Sequence, residues 1–207
     1  MRRVEQAVLV LVLAGIAAGC GASRPVKYYV LDMASAPAAP PPSQFPITLL
    51  VARLTTTHLY RDDHIVYGAG SVQLGTYEYE RWAEPPADMI QDLLIGSLRS
   101  TGQYRSVSRI GSNFRGSYII RGQLISFYEV DKPELTARFA IQLSVFDPKA
   151  GMEVWSDSYS HDEPVKGKTM RDVVEALDRN VRAGMRQLTA DLGQYFAGHS
   201  SQTASAP

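Results

Sequence analysis

Residues 135–147 read LTARFAIQLSVFD. Leu135, Ala137, Phe139, Ile141, Leu143 and Val145 recur at every second position, with Arg138, Gln142 and Ser144 between them. A period of two is that of a strand with one face in a core and the other in water, the pattern of an antiparallel sheet. Its neighbours extend the meander. Tyr118 to Asp131 is a second long β-forming stretch, joined to it through Lys132-Pro133-Glu134. Asp147-Pro148-Lys149-Ala150-Gly151 is a turn, and Met152 to Tyr159, containing Trp155, returns as a third strand.

Downstream, a helix is predicted from Thr169, with Asp172 three residues on as in a capping box. Met170, Val173, Leu177, Val181, Met185, Leu188, Leu192 and Phe196 form one apolar stripe. On the other side Arg171, Arg179, Arg182 and Arg186 face Asp172, Glu175, Asp178 and Asp191. These charges cancel, so the helix faces a core and not a membrane surface. Residues 198–207 are rich in Ser and Ala and are expected to be a disordered tail.

Upstream, Glu84-Pro85-Pro86 ends one segment and opens a helix in which Met89, Ile90, Leu93, Leu94, Ser97 and Leu98 recur at helical spacing until Gly102. Tyr104 to Ile110 reads as a short strand. Residues 55–82 are the most polar, with a possible hairpin of His64–Val66 and Ser71–Tyr79 around Gly68-Ala69-Gly70. Ile47 to Leu54 suits a strand buried on both faces, or else an edge open to β-augmentation. Residues 33–46, MASAPAAPPPSQFP, read as an extended linker, and Lys27 to Asp32, KYYVLD, as a first strand. The expected fold is α+β, a mainly antiparallel sheet with two helices packed on one face.

The beginning of the chain carries a different message. Arg2 and Arg3, the apolar run Ala7 to Ala18 and small residues before Cys20 have the layout of a secretory signal. The run falls short of the about 20 apolar residues of a spanning helix. Ala17-Ala18-Gly19-Cys20 resembles a bacterial lipobox, with Ala17 where leucine is usual. The other reading is a secreted chain with a leftover thiol, which an oxidising compartment would make a liability. The lipobox reading predicts a signal over residues 1–19 and N-acyl and S-diacylglycerol groups on Cys20, the only cysteine. A tether over 20–26 and a single domain over 27–197 would follow. Gly21 in place of aspartate resembles the export signal of outer-membrane lipoproteins, and the domain would then face the periplasm.

Function classes narrow quickly. The 21 basic and 21 acidic residues balance, and no basic stripe points to nucleic acid. With Cys20 acylated, no thiol remains for disulfides, catalysis or metal binding. There is no G-x-S-x-G elbow and no Walker lysine after Gly68-Ala69-Gly70. His58, Asp62, Asp63 and His64 are the one grouping with metal-ligand chemistry, but at irregular spacing in a polar loop, so a solvated loop is expected and no metal. Tyr77, Tyr79 and Trp82 stand in an otherwise polar stretch. They are candidates for a partner-binding surface, with core or edge packing as the other reading, and Trp155 and Tyr159 share that choice.

Four stretches together resemble a known family: KYYVLD at 27–32, HIVYGAG at 64–70 with YEYERWAEPPADMIQDLLIGSLRSTGQYRSV at 77–107, IQLSVFDPKAGMEVWSDSY at 141–159, and DVVEAL at 172–177. They look like the ABC-type transport auxiliary lipoproteins, a family that includes the lipoprotein of the paraquat-inducible locus. The resemblance implies a partner and not a reaction. Such lipoproteins accompany a permease, an ATPase and a periplasmic mammalian-cell-entry (MCE) domain protein that move lipids or other hydrophobic molecules between the two membranes. The lipoprotein is expected at the outer membrane, docking the MCE assembly, with no catalytic residues, no cofactor beyond its lipid, and homo-oligomerisation open. A lipid-binding carrier with an apolar groove and a structural lipoprotein of outer-membrane assembly machinery are the alternatives.

Overall fold

The computed structural model describes residues 24–32, 43–68, 72–111 and 116–203. The signal, Cys20, the greater part of the linker and the last four residues lie outside them.

Strands β1 (Lys27–Tyr29), β2 (Phe45–Val51), β3 (Thr55–Thr56), β4 (His64–Gly68) and β5 (Leu74–Trp82) precede helix α1 (Pro86–Ser100). Then come β6 (Tyr104–Arg109), β7 (Tyr118–Val130), β8 (Thr136–Asp147), β9 (Met152–Pro164) and helix α2 (Met170–Thr203). All nine strands share one sheet. Its spine is the antiparallel meander β7–β8–β9 expected from the alternation at 135–147. Ala137, Phe139, Ile141, Leu143 and Val145 are at most 2% exposed, while Gln142 stays in water. Asp147 closes the β8–β9 turn by accepting from the backbone N–H groups of Lys149 and Ala150 at 2.7 and 3.2 Å.

The free edge of β7 takes three short strands end to end, all parallel to it: β2 near Leu49–Tyr118, β3 near Thr55–Gln123 and β4 near Gly68–Val130. Strand β6 then pairs with β2 and β5 with β4, and β1 ends that arm against β5. The sheet is therefore mixed, antiparallel in its long ladders and parallel in its short ones. Strand β2 lies between β6 and β7, so it offers no edge for an added strand, and the augmentation reading of that segment is corrected.

Both helices pack on one face, in a single core. Val173, Leu177, Val181, Met185, Leu188, Leu192 and Phe196 are all buried, as the stripe required. The capping box forms: Asp172 N–H donates to Thr169 Oγ1 at 3.3 Å and Thr169 N–H to Asp172 Oδ2 at 2.8 Å. Helix α2 continues to Thr203, beyond Gly198 where the sequence reading began a disordered tail. No helix among the described residues is long and apolar enough to cross a membrane.

Two helical glycines test this packing in opposite directions. A Cβ on Gly184 would lie 2.7 Å from the Tyr159 ring and 3.0 Å from Phe139, whereas nothing comes within 4 Å of one on Gly96. Gly96→Ala is expected to gain about 0.5–1 kcal/mol from helix propensity. Gly184→Ala gains the same intrinsically but must push a ring held on both sides, for a net loss of about 1–2 kcal/mol. Urea midpoints of the two variants, moving to opposite sides of the parent, check the pair.

Candidate functional site

The stretch singled out for partner binding folds as β5, and β5 is irregular. Between the pairs His64–Arg81 and Val66–Thr76, β4 advances two residues while β5 advances five. Tyr77 to Glu80 therefore bulge out of the ladder, which re-aims their side chains.

The three aromatic candidates separate as a result. Trp82 is 1% exposed and its indole packs 5.2 Å from the Phe127 ring, so it is a core residue and not a contact surface. Tyr77 is half-buried; its ring lies 4.7 Å from Tyr67 and its hydroxyl donates to Glu129 Oε2 at 3.0 Å. Tyr79 keeps partial exposure. Tyr77 and Tyr79 stay together in the wall of an open cleft of about 540 Å³. Trp155 and Tyr159 are partly buried against the core, and the Tyr159 hydroxyl donates to Asn180 at 2.9 Å.

The cleft lies between β5, β1 and the start of α2. Its cations are Arg24, Lys27 and Lys168, its anions Glu78 and Glu80, and Met170 supplies an apolar wall. Lys27 Nζ reaches Glu80 at 2.9 Å and the Tyr29 hydroxyl donates to the same carboxylate at 2.7 Å. Burial works against the Glu80 anion, but these two donors hold its pKa below the usual range. Burial and the same carboxylate push the Tyr29 hydroxyl up to about 12. Arg24 and Lys168 were not singled out from sequence, because nothing local shows that a residue just past the anchor and one just before a helix meet at β5.

A second open cleft, of about 450 Å³, lies on the sheet around Arg53, Arg121, Gln123, Gln142 and Glu153. Arg121 stacks over the Phe146 ring at 4.3 Å. Both clefts mix charged or amide side chains with apolar ones, such as Leu143 in the second and Pro25 and Met170 in the first.

The His58–His64 loop is occupied by its own charges. Asp63 accepts from Arg81 at 3.1 Å, and His64 Nδ1 stands 3.7 Å from the same carboxylate. Among the described residues no group of three His, Cys, Asp or Glu side chains could hold a metal ion.

Behind Tyr77, Glu129 is a buried acid, 7% exposed. Burial, then the nearby Asp131, raises its pKa against the Tyr77 hydrogen bond, and burial with Glu129 raises that of Tyr77. A carboxyl raised on folding gives stability that is complete below its unfolded pKa and is lost as pH rises through the folded value. Relative to Glu129→Gln, which still accepts from Tyr77, the parent should therefore lose stability as pH climbs from the ordinary carboxylate range toward neutrality. Melting temperatures of the two chains at stepped pH measure that difference directly.

A crystal structure of protein XCC0632 from Xanthomonas campestris, of family DUF330, superposes with a TM-score of 0.72 at 17% identity, covering 84% of this chain and 99% of that one. A crystal structure of an uncharacterized protein follows with a TM-score of 0.60 at 15% identity, covering 84% and 99%. At these identities the likeness is one of fold. No curated protein sequence matches the chain. A family model described as the ABC-type transport auxiliary lipoprotein component matches residues 29–189, from β1 through all nine strands and α1 into α2.

Proposed function

The chain belongs to the ABC-type transport auxiliary lipoprotein component family, and from that membership we propose that it is the non-enzymatic, periplasm-facing lipoprotein of an ABC/MCE-type system that moves lipids or other hydrophobic molecules. In this reading Cys20 carries the N-acyl and S-diacylglycerol groups, the outer membrane holds the anchor, and the folded domain docks the MCE assembly. The observation that carries the reading is the extent of the family match, which takes in nearly the whole described fold. Tyr79 and Tyr77, at the bulge of β5, are the contact residues of first choice.

The test is a detergent pull-down from native membranes with mass spectrometry of proteins and lipids. Recovery of an MCE-domain protein supports the docking role; stoichiometric lipid without that partner overturns it in favour of the carrier, and a β-barrel partner in favour of outer-membrane assembly. Tyr79→Ala should lower recovery of the partner by about tenfold if it is an interface hot spot. Because Tyr79 is partly exposed, the same variant should melt with the parent.

A further inference from the structure

Strand β1 and the residues flanking it are apolar on both sides, one facing the core and the other solvent. Tyr29 packs against the core and Leu31 is 1% exposed, so the odd positions point inward. Val26, Tyr28 and Val30, at the alternate positions, are 40%, 63% and 62% exposed. Val26 and Val30 flank the three-residue strand and Tyr28 is its centre, so these alternate apolar residues span about 13 Å of surface. Neither folding nor the cleft uses them.

We propose that this face of β1 rests on the lipid surface into which the chain is anchored. The inference depends on acylation of Cys20. Val26 follows Cys20 by six positions, and six extended residues reach at most about 20 Å. The acyl chains thus keep Val26 within about 20 Å of the headgroup layer, into which apolar side chains are drawn and whose boundary suits a tyrosine. Arg24 and Lys168, both in the adjoining cleft, add attraction to anionic headgroups. Lys27 does not, because Glu80 neutralises it. Contact along β1 would give the anchored domain a fixed orientation. The β8–β9 turn is the distant reference point, because β5, β4 and β7 lie between β1 and β8 in the sheet.

The experiment uses the acylated full chain, whose single native cysteine is taken up by lipid. Tyr28→Cys, or Lys149→Cys as a control, then supplies the one free thiol for a fluorophore. Each labelled protein is reconstituted into phosphatidylethanolamine–phosphatidylglycerol vesicles with or without brominated acyl chains. Position 28 should be quenched at least about twofold and position 149 left unchanged. Val26→Ser with Val30→Ser, both exposed and so compatible with folding, should abolish the difference. Equal quenching at both positions, or none at 28 with acyl groups confirmed on Cys20 by mass, overturns the inference and leaves the anchor standing. Absence of acyl mass on Cys20 overturns the anchor and the inference together. Shielding of position 28 only when a partner protein co-purifies would make the stripe a protein interface, and also overturns it.

Discussion

Trp82→Ala is expected to cost about 3–5 kcal/mol of folding stability, among the largest effects of any single truncation here. The indole lies where β1, β5 and β7 converge. Its backbone N–H donates to Asp63 at 2.6 Å, its strand partner across the β1 ladder is Tyr29, and its ring stacks on Phe127. From Phe127 the contacts run to Phe139 at 6.3 Å and on to Tyr159 at 5.8 Å, one aromatic row across β5, β7, β8 and β9. Alanine leaves a cavity bounded by strands on two sides, and a sheet held by ladder hydrogen bonds collapses little to fill it. For a chain of this length the loss corresponds to a melting point lower by roughly 10 °C. Trp82→Phe, which keeps a ring against Phe127, should recover more than half of it. Urea denaturation followed by far-UV circular dichroism separates the three chains. An unchanged midpoint for the alanine variant would mean that Trp82 is not the core residue described.

Asn180→Ala comes second, at about 2–4 kcal/mol. Asn180 is fully buried on α2 at the far end of the same row. Its Nδ2 donates to the Ala137 and His161 carbonyls at 2.8 and 2.9 Å, and its Oδ1 accepts from the Tyr159 hydroxyl at 2.9 Å. One amide thus fastens α2 to β8 and β9. Asparagine alone fits, since the site needs two donors and an acceptor on a short planar group. Alanine removes the acceptor of the part-buried Tyr159 hydroxyl and a donor from each of two carbonyls. Asn180→Asp should be worse at neutral pH, because a carboxylate faces two carbonyl oxygens with nothing to donate. It should recover part of the loss as pH falls and the carboxyl regains a proton. Midpoints of both variants at neutral and acid pH decide the matter; aspartate equal to alanine at neutral pH would break the donor argument. Trp82 and Asn180 share no contact, so the double variant should be close to additive.

The candidate site was half legible. Tyr77 and Tyr79 were singled out because aromatic residues in a polar stretch are conspicuous, and both line one cleft. Trp82 was grouped with them on the same ground and belongs to the core. The bulge over Tyr77–Glu80 breaks the alternation that would have told outward from inward, and a bulge leaves no local mark in composition. The exposed face of β1 was hidden in a similar way. KYYVLD announces a strand, but the unbroken run Tyr28-Tyr29-Val30-Leu31 says nothing of which face is covered.

By itself the sequence determined whatever is set by neighbours a few residues apart. That includes the β7–β8–β9 meander, the apolar stripes of both helices, the Thr169–Asp172 cap and the turn at Asp147, each fixed by a period or by a short-range hydrogen bond. The tertiary structure alone decided that β2, β3 and β4 queue along one edge of β7, that β2 is interior, and that Arg24 and Lys168 meet at β5. Those are pairings between segments far apart in the chain. Backbone hydrogen bonds make them, every strand offers the same donors and acceptors, and only the closing of one shared core selects which edges meet.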